Sequence, residues 1–209
     1  MPLDSYLSTG IHIGMRQRIR PMEKYIYKVR PDKLAVFDVA KIDARIKLAI
    51  KFLARYKPED IIVVSRKRTG HKPVVKFSEA TGSKVIYGRF MPGMLTNPNY
   101  EKYLEPKVMV VTDPFADRQA VIEAFNANIP IIALCDSYNE QKYIDLVVPL
   151  NNKGRKSVAL FYWILARELM RAWGKIKSDK DFKYTMAEFE MPADVAEAEE
   201  EEELEAVEY

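Results

Sequence analysis

Three aspartates close short β-branched runs: Asp38 ends LAVFD, Asp113 ends VMVVTD and Asp136 ends IIALCD. Carboxylates at neighbouring strand ends can hold a magnesium ion and serve phosphoryl transfer. The same residues have a plainer use. Asp113 precedes Pro114 and suits a helix N-cap, and Asp38 can cap the helix that follows it. Neither a Walker lysine motif nor a nucleophile elbow accompanies them, so a magnesium-dependent phosphotransferase or hydrolase is the weaker reading and no catalytic residue is assigned. With only His12, His71 and Cys135 available, zinc ligation has no support. GIHIG (Gly10 to Gly14) lacks the spacing of a phosphate fingerprint and follows no strand, and His12 reads as a buried, hydrogen-bonded side chain.

Cationic chemistry is far better supplied. MRQRIRPMEKYIYKVRP sets Arg16, Arg18, Arg20, Lys24, Lys28 and Arg30 around Tyr25 and Tyr27, with Glu23 the only acid. Basic groups neutralise phosphates and rings offer stacking faces, although a solvated amphipathic arm accounts for the segment equally well. RKRTGHK places Arg66, Lys67, Arg68, His71 and Lys72 directly after IIVVS. That is the carboxyl edge of a strand, where open α/β sheets take ligands. NNKGRKS (Asn151 to Ser157) opens the last helix, where Lys153, Arg155 and Lys156 join helix-start amides in an anion site and Ser157 serves as the cap. Phe90 to Tyr100, FMPGMLTNPNY, carries no charge in a chain that is 30% charged. Such a loop needs a core of its own or a partner, and the residues slightly favour packing within the chain.

Those segments must be held by a framework, and the hydrophobic pattern supplies one. Strands are expected at Leu34–Asp38, Ile61–Ser65, Lys84–Gly88, Val108–Asp113, Ile131–Asp136 and Asp145–Pro149, mostly without alternation, as in a parallel sheet covered on both faces. Helical spacing follows at Ile42, Ile46, Ala49, Ile50 and Leu53, at Val74–Ala80 ending near Gly82, at Ala120–Phe125, and from near Ser157 through Trp173. Alternating strands and helices imply a doubly wound α/β sheet. The expected divisions are a basic N-terminal arm packed on the core (residues 1–30), an α/β core (31–177) and an acidic, flexible tail (178–209).

Charge is divided as sharply as structure. Met186 to Tyr209 carries eleven carboxylates and no Lys or Arg, so the net +3 combines a body near +14 with a tail near −11. A body that basic faces a polyanion, and nucleic acid is the commonest one. A single cysteine forbids an intrachain disulfide, the N-terminus has no signal-peptide pattern, and the longest apolar run, Val158–Ala166, is about half a bilayer span. These features suit a soluble cytoplasmic protein.

The order GIHIG, GRFMPGMLTNP, TDPFADRQAVIEAFNANIPIIALCDS and DLVVPLNNKGRKSVALFYWILARE resembles the small-subunit ribosomal protein S-two family, in its archaeal branch, related to the eukaryotic SA (laminin-receptor) proteins. The resemblance covers roughly Leu3 to Trp173. It implies a flavodoxin-like, Rossmann-like, mostly parallel sheet with helices on both faces, no enzymatic activity and no cofactor or metal. It further implies a structural place in the small ribosomal subunit, with small-subunit rRNA and neighbouring ribosomal proteins as partners and neither a membrane nor a small-molecule substrate. Carried onto this chain, the RNA-facing positions are the basic arm, Arg66 to Lys72, Arg89 and the NNKGRK turn. Phe90, Pro92, Gly93, Met94, Leu95, Thr96 and Asn97 become a surface packed on RNA or protein. The helical-hairpin insertion of bacterial members and the long laminin-linked tail of eukaryotic ones have no counterpart here, so their partners are not transferred.

Overall fold

Five unbroken apolar runs become a parallel sheet buried on both faces. The computed structural model describes residues 3–178 and 181–192. In chain order these form α1 (Leu3–Ser8), β1 (Ile26–Val29), β2 (Ala35–Phe37), α2 (Val39–Leu53), β3 (Ile61–Ser65), α3 (Arg68–Thr81), β4 (Lys84–Tyr87), β5 (Val108–Val111), α4 (Arg118–Asn126), β6 (Ile131–Cys135), β7 (Leu146–Pro149), α5 (Arg155–Ala172) and α6 (Met186–Phe189). The large sheet has the order β4-β3-β5-β6-β7 with every pair parallel. Relabelled by its own strands this is 2-1-3-4-5, the flavodoxin-like order, and the chain reverses its direction of travel between β3 and β5.

Right-handed crossovers then put α3 and α4 on opposite faces. The α2, α3 and α5 helices pack together on one face, and α4 with the 90–97 loop covers the other. Val63 sits between Val85 and Val110 in register, and β3, β5 and β6 have no exposed side chain. On the α5 side Phe77, Phe161 and Tyr162 are fully buried, with the Phe77 and Tyr162 rings 5.7 Å apart. The Tyr162 hydroxyl finds Thr112 Oγ1 at 2.8 Å, so the ring is buried without leaving its polar end unpaired.

Several sequence expectations change in detail. Only Ala35–Phe37 of the first run is extended, and it pairs antiparallel with β1, a strand the basic lead-in concealed, outside the large sheet. Its burial alternates, with Val36 half exposed between Ala35 and Phe37, as a one-sided strand requires. Asp38 does cap α2, accepting from the Ala40 amide at 3.0 Å. The α3 helix starts at Arg68, so most of RKRTGHK is helix where the sequence suggested a loop. Gly70 and Pro73 read as breakers, yet Gly70 is where α3 crosses β3: a Cβ there would lie 2.1 Å from Ser65 Oγ. Asp113 is not a helix cap, because α4 begins at Arg118 behind Asp117. Ser157 is not the cap of α5 either; Gly154 holds that place and Ser157 Oγ donates to the Asn151 carbonyl at 2.5 Å.

Beyond α5 the chain folds back. Phe182 and Phe189 are buried, Trp163 Nε1 donates to the Tyr184 carbonyl at 2.9 Å, and α6 rests on α3 and α5. Residues 193–209, where most of the tail's acids fall, lie outside the described residues.

Candidate nucleic-acid interface

The N-terminal arm lies across the carboxyl ends of β6 and β7. Backbone groups pin it there: Met15 N donates to Asp136 Oδ1 (3.2 Å) and Ser137 Oγ (3.1 Å), Ile19 N to the Ser137 carbonyl (2.9 Å), and Asn151 N to the Ile11 carbonyl (2.9 Å). Because main-chain atoms make these contacts, the side chains of Arg16, Arg18 and Arg20 are left exposed. None of the three forms an ion pair with a described residue.

At the centre of the same edge, where β3 and β5 part, the crevice that holds ligands in related folds is filled by the chain itself. Lys67 Nζ lies 2.8 Å from Asp113 Oδ2. Asn139 Nδ2 (3.0 Å), the Phe115 amide (3.0 Å) and the Tyr138 hydroxyl (3.3 Å) also donate to the Asp113 carboxylate. One turn on, Asp117 accepts from the Arg66 amide at 2.8 Å. Burial, with the Asp113 charge adding to it, pushes the Asp117 carboxyl up to about 7. Burial likewise pushes Asp136 up to about 6, against the hydrogen bonds it accepts from Ser137 and Met15.

The magnesium constellation is therefore not assembled. Asp113 is neutralised by Lys67, Asp136 holds the arm, and Asp38 caps α2. Among the described residues no three His, Cys, Asp or Glu side chains converge as a metal would need.

The remaining candidate positions sort by what already engages them. Arg66 and Arg89 are exposed at the ends of β3 and β4, whereas Lys67 is turned inward. Arg68, His71 and Lys72 occupy the first turns of α3. His71 Nε2 contacts the Arg66 carbonyl at 3.0 Å and its ring lies 5.6 Å from that of exposed Tyr87. Tyr25 is buried under the cations of Lys24 and Arg45, so of the two lead-in rings only Tyr27, 72% exposed, is open to a partner. Lys28 is exposed on β1, and Arg30 pairs with Asp32 at 3.2 Å. Lys153 lies 5.3 Å over the Tyr138 ring and Lys156 is exposed, while Arg155 donates to the Met191 carbonyl at 3.1 Å. The amides of Lys153 and Gly154 are satisfied by Asn151 Oδ1, so they do not add to an anion site.

The charge-free loop is half structural. Phe90, Met94 and Leu95 are buried, and the buried Glu123 of α4 accepts from the amides of Gly93 (2.7 Å) and Leu95 (3.2 Å). Pro92, Thr96 and Asn97 remain on the surface. Sequence reasoning passed over Tyr87, Phe115, Arg118 and Tyr138. A ring or cation within a few residues of a strand's carboxyl end is the signal that marks them.

The fold and this edge together define a doubly wound α/β protein whose ligand crevice is sealed by its own side chains and whose rim presents cations and rings. The residues 6–104 and 100–172 match the family described as Ribosomal protein S2. The chain is 48% identical to the small ribosomal subunit protein uS2 of Picrophilus torridus, over 91% of this chain and 96% of that one. It is 49% identical to uS2 of Saccharolobus solfataricus, over 91% and 83%, and 48% identical to uS2 of Thermoplasma acidophilum, over 91% and 96%. The chain belongs to the ribosomal protein S2 family.

Proposed function

We propose that this protein is a structural constituent of the small ribosomal subunit, associated with small-subunit rRNA and with neighbouring ribosomal proteins in the cytoplasm, and that it catalyses no reaction. The observation that carries this reading is the alignment with archaeal uS2 proteins along nine-tenths of the chain. The geometry suits it. The sheet is a rigid platform, the carboxylates at its switch point are engaged by the chain's own donors, and cations stand outside them on pinned backbone. Arg16, Arg18, Arg20, Lys28, Arg66, Arg68, Lys72, Arg89, Lys153 and Lys156 would meet phosphates, which position a protein on RNA without reading sequence. Tyr27, His71 and Tyr87 would stack on unpaired bases, and Pro92, Thr96 and Asn97 would pack against the folded surface.

Six phosphate contacts would make the logarithm of affinity fall with the logarithm of salt at a slope of about −4 to −5. Sedimenting a native lysate through sucrose at low and high salt tests the assignment. Comigration with the small subunit, persisting or stripped only by salt, is the expected result, and a chain confined to the top fractions overturns it.

A further inference from the structure

One surface feature is not used by the basic segments. Between α4 and the segment after β6 runs a groove of about 560 Å³, lined by Phe115, Arg118, Ile122, Tyr138, Lys142 and Tyr143 among others. Phe115 is 75% exposed, the most exposed large hydrophobic side chain among the described residues. Its exposure is held in place, because its amide is bonded to Asp113, which Lys67 and Asn139 fix at the switch point, and Pro114 restricts the backbone before it. The Phe115 and Tyr138 rings meet edge to face at 6.4 Å, and at the far end Phe125 and Tyr143 lie 4.3 Å apart. Around these rings stand Arg118 and Lys142 on the walls, Arg16 and Arg18 on either side of the lining Gln17, and Lys153 behind Tyr138. Glu140 is the only acid in the lining, and Arg16, Arg18, Arg118 and Lys142 make no ion pair with any described residue.

We infer that this groove is a binding site for unpaired nucleobases of RNA, stacked on Phe115 and Tyr138 with the flanking phosphates on Arg118, Lys142 and the arm. The inference rests on the ribosomal reading and adds to it a stacking subsite. Charge complementarity selects the occupant: rings ringed by unmatched cations suit a base carried on a phosphate chain, whereas an apolar peptide would leave those cations unanswered. Because Phe115 touches little of the core, Phe115→Ala leaves the fold standing, which an unchanged unfolding midpoint verifies.

The test uses small subunits washed free of this protein by high salt, their rRNA substituted with 4-thiouridine. Full-length wild type and Phe115→Ala are rebound and irradiated. The expected result is an rRNA crosslink within residues 114–143 for wild type, with rebinding about tenfold weaker for Phe115→Ala and an unchanged salt slope, as loss of one stacked base predicts. Failure of wild type to rebind would sink the ribosomal reading itself. Rebinding of wild type with equal affinity for the variant, or with crosslinks only to other segments, overturns the stacking site alone. Weaker rebinding of Phe115→Ala without an rRNA crosslink there would identify a protein occupant and likewise overturn it.

Discussion

The centre and the rim of the carboxyl edge lie side by side and behave oppositely. At the centre, buried Asp113 is engaged by Lys67 and Asn139, and buried Asp117 by the Arg66 amide. At the rim, Arg66 and Arg118, each next in sequence to a centre residue, and Arg16 and Arg18 on the arm that Asp136 pins, have exposed side chains on backbone that is held still. A doubly wound fold places a ligand crevice at this point by topology, whatever its function. Here the crevice is consumed as scaffold. What the difference teaches is that the charges which matter for a partner are those left over once the fold's own carboxylates have been matched.

Breaking the centre has the largest expected effect. Asp113→Ala leaves the largely covered Lys67 without its counter-charge and removes the acceptor of Asn139, Tyr138 and the Phe115 amide. Losing three hydrogen bonds to a buried carboxylate together with its ion pair should cost about 3–5 kcal/mol, readable as a lower urea midpoint. Glu123→Ala, on the other side of the sheet, frees the Gly93 and Leu95 amides and should cost about 2 kcal/mol. Faster hydrogen exchange at those two amides is its signature, with β3 and β5 unaffected.

A smaller effect is expected from pH. The Asp117 carboxyl is raised from 3.8 to about 7 by burial, so between those values the folded chain holds a proton that the unfolded chain has lost. Its contribution to stability is complete below about pH 4 and gone above about pH 7, on the order of 1–3 kcal/mol across the window. Asp136, raised to about 6, acts with the same sign over a narrower range. Unfolding midpoints of wild type should therefore fall from pH 4 to pH 7 relative to Asp117→Asn, and parallel curves would refute the assignment. Smallest in stability, and largest in binding, is the rim: Arg16→Ala, Arg18→Ala and Arg118→Ala combined should leave the unfolding midpoint within about 2 °C of wild type.

How much of this the sequence disclosed depends on how far each residue's partner lies along the chain. Ile61–Ser65, Val108–Val111 and Ile131–Cys135 were legible because burial on both faces writes an unbroken apolar run. β1 was not, since three of its four residues are exposed and its composition is that of a basic arm. The start of α3 was hidden by Gly70 and Pro73, which punctuate a sequence locally but here sit buried against β3. Among site residues, the basic segments were found as segments. That Lys67 is spent on Asp113, Tyr25 on Arg45 and Arg155 on Met191 could not be read, because each partner comes from another element of the fold. The glycine-histidine start, the PGMLTN loop and the NNK turn together carried the family resemblance that no single one of them supports.

The central claim is that the rim's leftover cations meet rRNA phosphates, and the direct measurement is the salt dependence of rebinding to salt-washed small subunits for wild type and the Arg16, Arg18 and Arg118 triple variant. Three lost phosphate contacts should flatten the log–log slope by about 2 to 3 while the variant stays folded. Identical slopes for the two proteins would show that these cations touch no phosphate and would contradict the account.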